Sequence, residues 1–200
     1  MEEKQLSGEE SLQLITRMIS QARNYYYESG LSALLWGFTN VICFGLAYLS
    51  EIKAVNLTFN PFFLMGITII LQVYYDRKEA KFKSTKSYLD EVHTYVWMTF
   101  GICVLILTIV GAIANIGYIV LPLLLLFFGM PTFIFGCISK FKPFIIGGIF
   151  CWILSIISFL YKSEESLLMV AAGAGIAWII PGFILRARFY KNIAKRKDEL

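Results

Sequence analysis

From residue 94 to residue 138 the chain reads TYVWMTFGICVLILTIVGAIANIGYIVLPLLLLFFGMPTFIFGCI, without one Asp, Glu, Lys, Arg or His. The only turn-forming signal inside it is the Asn115-Ile116-Gly117 step, which divides it into two apolar halves. Each half is about 20 residues long, the length a helix needs to cross roughly 30 Å of hydrocarbon. The stretch therefore reads as two membrane-spanning helices, 94–114 and 117–138, joined by a tight turn.

Working outward, four further uncharged apolar runs occur at 31–50, 57–75, 143–161 and 166–185. Composition agrees: 58% of residues are hydrophobic and 16% charged, and mean hydropathy is +0.66. A soluble domain is nearer half apolar and about a quarter charged. The sequence predicts an all-α membrane bundle of six transmembrane helices. The outer connections are short, at 51–56, 115–117 and 162–165, so three hairpins in tandem describe the expected order. Residues 30–186 form the membrane domain, with a cytoplasmic loop at 76–93.

The basic residues give the orientation, because cytoplasmic flanks retain Lys and Arg during insertion. Of the 18 basic residues, only Lys53 and Lys162 fall in connections that would face outward, the first and the fifth. Lys4, Arg17 and Arg23 precede the first run, and Arg77, Lys78, Lys81, Lys83 and Lys86 follow the second. Lys140 and Lys142 follow the fourth, and six more lie beyond the sixth. Both ends are expected in the cytoplasm, in the inner (plasma) membrane of a cell, with residues 187–200 as a basic tail. The chain begins Met1-Glu2-Glu3-Lys4 and stays polar to about Leu31, the wrong order for a cleavable signal peptide. The closing Lys197-Asp198-Glu199-Leu200 matches a lumenal retrieval signal, but the basic tail places it in the cytoplasm, where that match is coincidental.

Residues 1–29 read as a cytoplasmic amphipathic segment. Ser7 and Glu10 fit a capping box, and Leu12, Ile15, Ile19, Ala22 and Tyr26 recur along one helix face. The segment 76–93, DRKEAKFKSTKSYLDEVH, interleaves acids with bases, so it reads as a solvated collar with a turn near 83–87. That interleaving argues against nucleic acid as a partner.

Chemistry is sparse. Cys43, Cys103, Cys137 and Cys151 all fall inside apolar runs and read as small packing residues, and no HExxH, GxSxG or P-loop occurs. No ionisable side chain occupies the middle of any run, where proton relays and ion-coupled transporters place theirs. His93 stands beside Asp90 and Glu91 at the expected cytoplasmic mouth of the third helix. No catalytic, cofactor-binding or metal-binding residue is expected. The weakly polar positions are Asn40, Thr68, Gln72, Thr108 and Ser155, all but Gln72 near their span centres. Thr94, Gly101, Thr108 and Asn115 recur every seven residues, and Gly148, Cys151, Ser155 and Ser158 at three- and four-residue steps. Such residues either hydrogen-bond between closely packed helices or line a narrow polar path. Pro122, Pro131 and Pro181 are expected kinks. A parallel internal repeat pairs Gly101-Ile102 with Gly148-Ile149.

The opening Ser7-Gly8-Glu9-Glu10-Ser11-Leu12-Gln13-Leu14-Ile15, with Met18-Ile19, Gly30, Ala33 and Leu35-Trp36-Gly37, resembles a group of uncharacterised bacterial inner-membrane proteins of about this length. The resemblance implies an amphipathic N-terminus, several spanning helices and a bacterial source, and carries no activity or site residue. Two functions are compatible with the whole sequence. One is a non-enzymatic membrane component that docks or regulates a partner through its cytoplasmic face, with a second copy of the chain among the candidates. The other is a small channel or facilitator for a neutral solute, passing Asn40 and Thr108.

Overall fold

The computed structural model describes residues 30–82, 88–161 and 164–198. The amphipathic helix expected within 1–29 and the turn expected near 83–87 lie outside the described residues. Every regular element described is helical: α1 Leu31–Glu51, α2 Phe63–Phe82, α3 Tyr88–Ala114, α4 Gly117–Ile138, α5 Lys142–Tyr161 and α6 Glu165–Ala174. A π-helical turn, Gly175–Ile179, then joins α6 to α7, Ile180–Asp198. Five helical segments are long and apolar enough to cross a membrane: Leu31–Glu51, Glu91–Ala114, Gly117–Ile138, Lys142–Tyr161 and Glu165–Lys191. The chain is thus a helical membrane protein by the length and composition of its helices.

α2 differs from the other helices. The apolar run expected from 57 starts its helix only at Phe63, because Asn60 and Pro61 form a turn ahead of it. The Asn60 side chain accepts a hydrogen bond from the Phe62 N–H at 3.0 Å, and the Phe63 N–H donates to the Asn60 carbonyl at 3.2 Å. Charges begin at Asp76. The uncharged helical part, 63–75, therefore spans only about 20 Å at 1.5 Å per residue. At the other end of the chain, the segment read as a tail beyond 186 continues the last helix to Asp198.

α4 and α5, joined through 139–141, are the closest neighbours. α1 lies against α6, the π turn and α7, while α2 packs on α1 and α3 on α4. Among the described residues, α2 and α3 do not pack closely on each other. The core therefore sits among α1, α4, α5 and α6, with α2 and α3 as outriggers. Only 6% of the apolar stretch of α3 is buried, against 50% of α4.

Small residues bring the backbones together. Gly129 on α4 faces Gly148 on α5: a Cβ added at Gly148 would meet both the Gly129 carbonyl oxygen and the Phe133 amide at 2.9 Å. Gly30, at φ 68°, caps α1 where any side chain would meet the Gly182 carbonyl oxygen at 2.6 Å. Glycine serves both needs there, a left-handed backbone and close approach.

Aromatic rings fill what the glycines leave. Trp97 of α3, Phe128 of α4 and Trp178 of the π turn meet near the middle, with ring centroids 5.8 Å apart for Trp97–Trp178 and 4.7 Å for Phe128–Trp178. Phe100 closes on Phe128 at 5.6 Å. Such tilted contacts add about 0.5–1.5 kcal/mol each beyond area burial.

Three helices end alike. Lys53, Asn115 and Lys140 take φ values of 54°, 55° and 51°, and the following amides return to carbonyls five residues back: Ala54 to Leu49, Ile116 to Gly111 and Phe141 to Gly136. That satisfies carbonyls the helix leaves unpaired at its C-terminus.

The paired glycines Gly101 and Gly148 of the suspected repeat occupy unlike places, since nothing lies within 4 Å of a Cβ at Gly101. We predict that Gly148→Ala lowers stability by about 1–3 kcal/mol, as overpacking against backbone does. Gly101→Ala should leave stability unchanged or raise it by about 0.5–1 kcal/mol through helix propensity alone. Chemical unfolding in mixed micelles measures both, and equal effects of the two substitutions would contradict this packing.

Candidate functional site

The polar side chains of the bundle occupy seams between helices. On the α1–α2 seam, the hydroxyls of Thr39 and Thr68 share a hydrogen bond of 2.7 Å, and both residues are buried. Further along, the Gln72 amide donates to Ser32 at 2.9 Å and to Asp76 at 2.7 Å. The Cys43 thiol donates to the Pro61 carbonyl at 3.2 Å, tying the turn before α2 to α1.

On the α4–α5 seam, Ser155 donates to the Pro122 carbonyl at 2.7 Å, and the Trp152 indole donates to the Leu126 carbonyl at 3.2 Å. At the centre, the Trp178 indole N–H donates to the Thr132 hydroxyl at 2.9 Å, which donates in turn to the Phe128 carbonyl at 2.7 Å. Each tie satisfies in protein what hydrocarbon cannot satisfy.

Of the positions singled out in the sequence, Asn40, Thr68 and Ser155 are buried, with 2%, 3% and 2% of their surfaces exposed. Gln72 is half-buried and Thr108 is exposed on the outside of α3, where its hydroxyl folds back onto the Val104 carbonyl at 2.8 Å. These five do not converge on one place. Asn40 donates to the Trp36 carbonyl at 2.8 Å, while its Oδ1 has no hydrogen-bond partner among the described residues; nor do Ser158 Oγ and Ser166 Oγ.

The prolines fall on the packed side. Pro122 and Pro131 lie inside α4, which runs unbroken, and both are buried. Pro181 follows the π turn, and its missing N–H removes the bond an α-helix would make to the Ala177 carbonyl. A wider turn accommodates that loss and carries Trp178 into the core.

A small cavity of about 10 Å³ is lined by Val92, His93, Val96, Ile134, Phe135 and Ile138. It has room for about one water. His93 stacks there against Phe135, with centroids 4.9 Å apart. Among the described residues, no three of His, Cys, Asp or Glu gather where a metal ion would sit. Sequence reading passed over Thr39 and Thr132, whose hydroxyls are the buried partners of Thr68 and Trp178. Only their places on the Thr39–Asn40–Cys43 and Phe128–Thr132–Phe135 faces pointed to them. Comparison with protein families, curated proteins and solved structures finds no match to this chain.

The central Trp178–Thr132 hydrogen bond can be weighed by a double-mutant cycle of Trp178→Phe and Thr132→Val. Interhelical hydrogen bonds in membrane proteins couple by about 0.6 kcal/mol on average and up to about 1.7. Unfolding of the four proteins in mixed micelles should give a coupling in the upper half of that range, because both partners are buried. Strict additivity would show that the bond does not form.

Proposed function

We propose that this protein is a non-enzymatic membrane component that docks or regulates a partner, and that α3 is its contact surface within the bilayer. One observation carries the reading. Thr94, Met98, Gly101, Leu105, Thr108, Ala112 and Asn115 follow one another at alternating steps of four and three residues along α3, and all are exposed. That is the seam by which two helices pack side by side, with the small residues that allow close approach. A lipid-facing surface has no need of either. The solute-path reading has less support, since Thr39, Thr68, Thr132 and Ser155 are engaged in ties between helices and aromatic rings pack near the middle.

In this reading the chain crosses the inner (plasma) membrane of a bacterial cell six times, as three hairpins in tandem with short outer turns. Residues 57–62, apolar but not helical, complete the short crossing of α2. The cationic flanks and both ends then lie in the cytoplasm, where 1–29 and 76–93 extend the docking surface.

Photo-crosslinking from intact membranes tests the contact. A photoreactive side chain at Gly101 or Leu105 should capture one discrete protein band, and the same group at Ile149 or Ile156 on the exposed face of α5 should capture lipid alone. Gly101→Leu should reduce capture from Leu105 by about tenfold or more. Equal capture from both helices, or lipid alone from α3, would overturn the reading.

A further inference from the structure

At one end of the bundle, elements distant in sequence bring cations together. The α4–α5 connection contributes Lys140, held at φ 51°, and Lys142, the first residue of α5. α7 contributes Arg186, Arg188 and Lys191. Contacts fix these two groups against each other: the Arg188 guanidinium sits 5.0 Å from the centre of the Phe141 ring, and Phe141, Phe144 and Phe135 form a buried cluster that packs on Ile184 and Leu185. Phe141 is only 4% exposed, so it is a fixed platform for the cation above it.

Two helices also begin at this end. α5 starts at Lys142, and α1 starts at Gly30 beside the Arg186 amide. Neither has an acidic residue in its first turn, so their positive dipole ends add to the cationic character of this end. None of the five cations forms an ion pair with a carboxylate among the described residues. Two described carboxylates stand at the same end, Glu91 at the start of α3 and Asp76 on α2, and they accept hydrogen bonds from Tyr95 and Gln72. Glu51, Glu164 and Glu165 belong to the opposite end, where α1 stops and α6 begins.

We infer that the α4–α5 turn together with α7 forms a binding site for the phosphodiester headgroup of an anionic phospholipid. Lys140, Lys142 and Arg188 carry the phosphate, and the acyl chains lie along the exposed apolar flank of α5 at Ile146 and Ile149. The height of the site explains the choice of a lipid over a soluble anion. Lys142 adjoins a helix whose next residues are apolar, so the cations stand where headgroups stand. This inference needs only that the helices lie in a bilayer. It does not depend on α3 having a partner.

The test uses the full-length protein in mixed micelles, with its thermal unfolding midpoint followed as phosphatidylglycerol is added. A ligand that binds the folded state raises the midpoint as its concentration passes its dissociation constant. Phosphatidylglycerol should raise it, while phosphatidylcholine at the same fraction and millimolar inorganic phosphate should not.

Each cation near an anionic headgroup is worth about fivefold in affinity. The combined Lys140→Gln, Lys142→Gln and Arg188→Gln variant should therefore need more than about tenfold more phosphatidylglycerol for the same shift. Arg77→Gln with Lys78→Gln, removing charges from α2 instead, should shift the titration by less than about threefold. If the triple variant does not fold, Lys142→Gln and Arg188→Gln singly should each move it by about fivefold. Equal loss in the α2 variant would overturn the site. So would an equal response to phosphatidylcholine or to inorganic phosphate.

Discussion

Hydrocarbon supplies no hydrogen-bond partner, so a polar group placed in it is costly unless the protein satisfies it. That constraint explains why every regular element described is a helix, since a helix pairs its backbone groups within one segment. It also explains where the few polar side chains go. The Thr39–Thr68 pair holds α2 to α1, Ser155 reaches the Pro122 carbonyl from α5, and Thr132 passes the Trp178 hydrogen bond on to its own helix. These bonds fix which helices are neighbours more than they add to stability, because each contributes under about 1 kcal/mol on average.

The same solvent removes the usual reason for helices to associate, since lipid tails are as apolar as leucine. Packing must come from close fit. Gly129 against Gly148 lets α4 and α5 touch along their backbones, and rings from Trp97, Phe100, Phe128 and Trp178 occupy the wider space between α3, α4 and the π turn. The result is a filled centre in a bundle with one helix, α3, standing almost free.

How much of this the sequence discloses follows from the same physics. Helix positions are legible because charge is excluded from hydrocarbon: the 94–138 stretch yields both ends of α4 and the end of α3, which starts six residues earlier, at Tyr88. The start of α2 is not, because Leu57, Phe59 and Phe62 are as apolar as the helix that follows, and hydropathy cannot separate a turn at Asn60 and Pro61 from a span. Inside and outside were harder still. Asn40 and Thr108 look alike in sequence, each a polar residue amid apolar ones, yet Asn40 is buried and Thr108 faces outward. In water, the polar face of a helix marks its outside. In lipid both faces are apolar and that contrast is lost. The π turn was hidden for another reason, since Pro181 predicts a disturbance without saying whether the helix bends or widens.

The central claim is that these helices cross a bilayer with their cationic flanks on one side. Single cysteines at Ala54, Arg77, Glu164 and Lys191, in a background whose four native cysteines are replaced by alanine, test it in intact cells with a membrane-impermeant maleimide. The account predicts labelling at 54 and 164 from outside, and at 77 and 191 only after the membrane is opened. Labelling of 77 and 191 from opposite sides, or of all four from the same side, would contradict it.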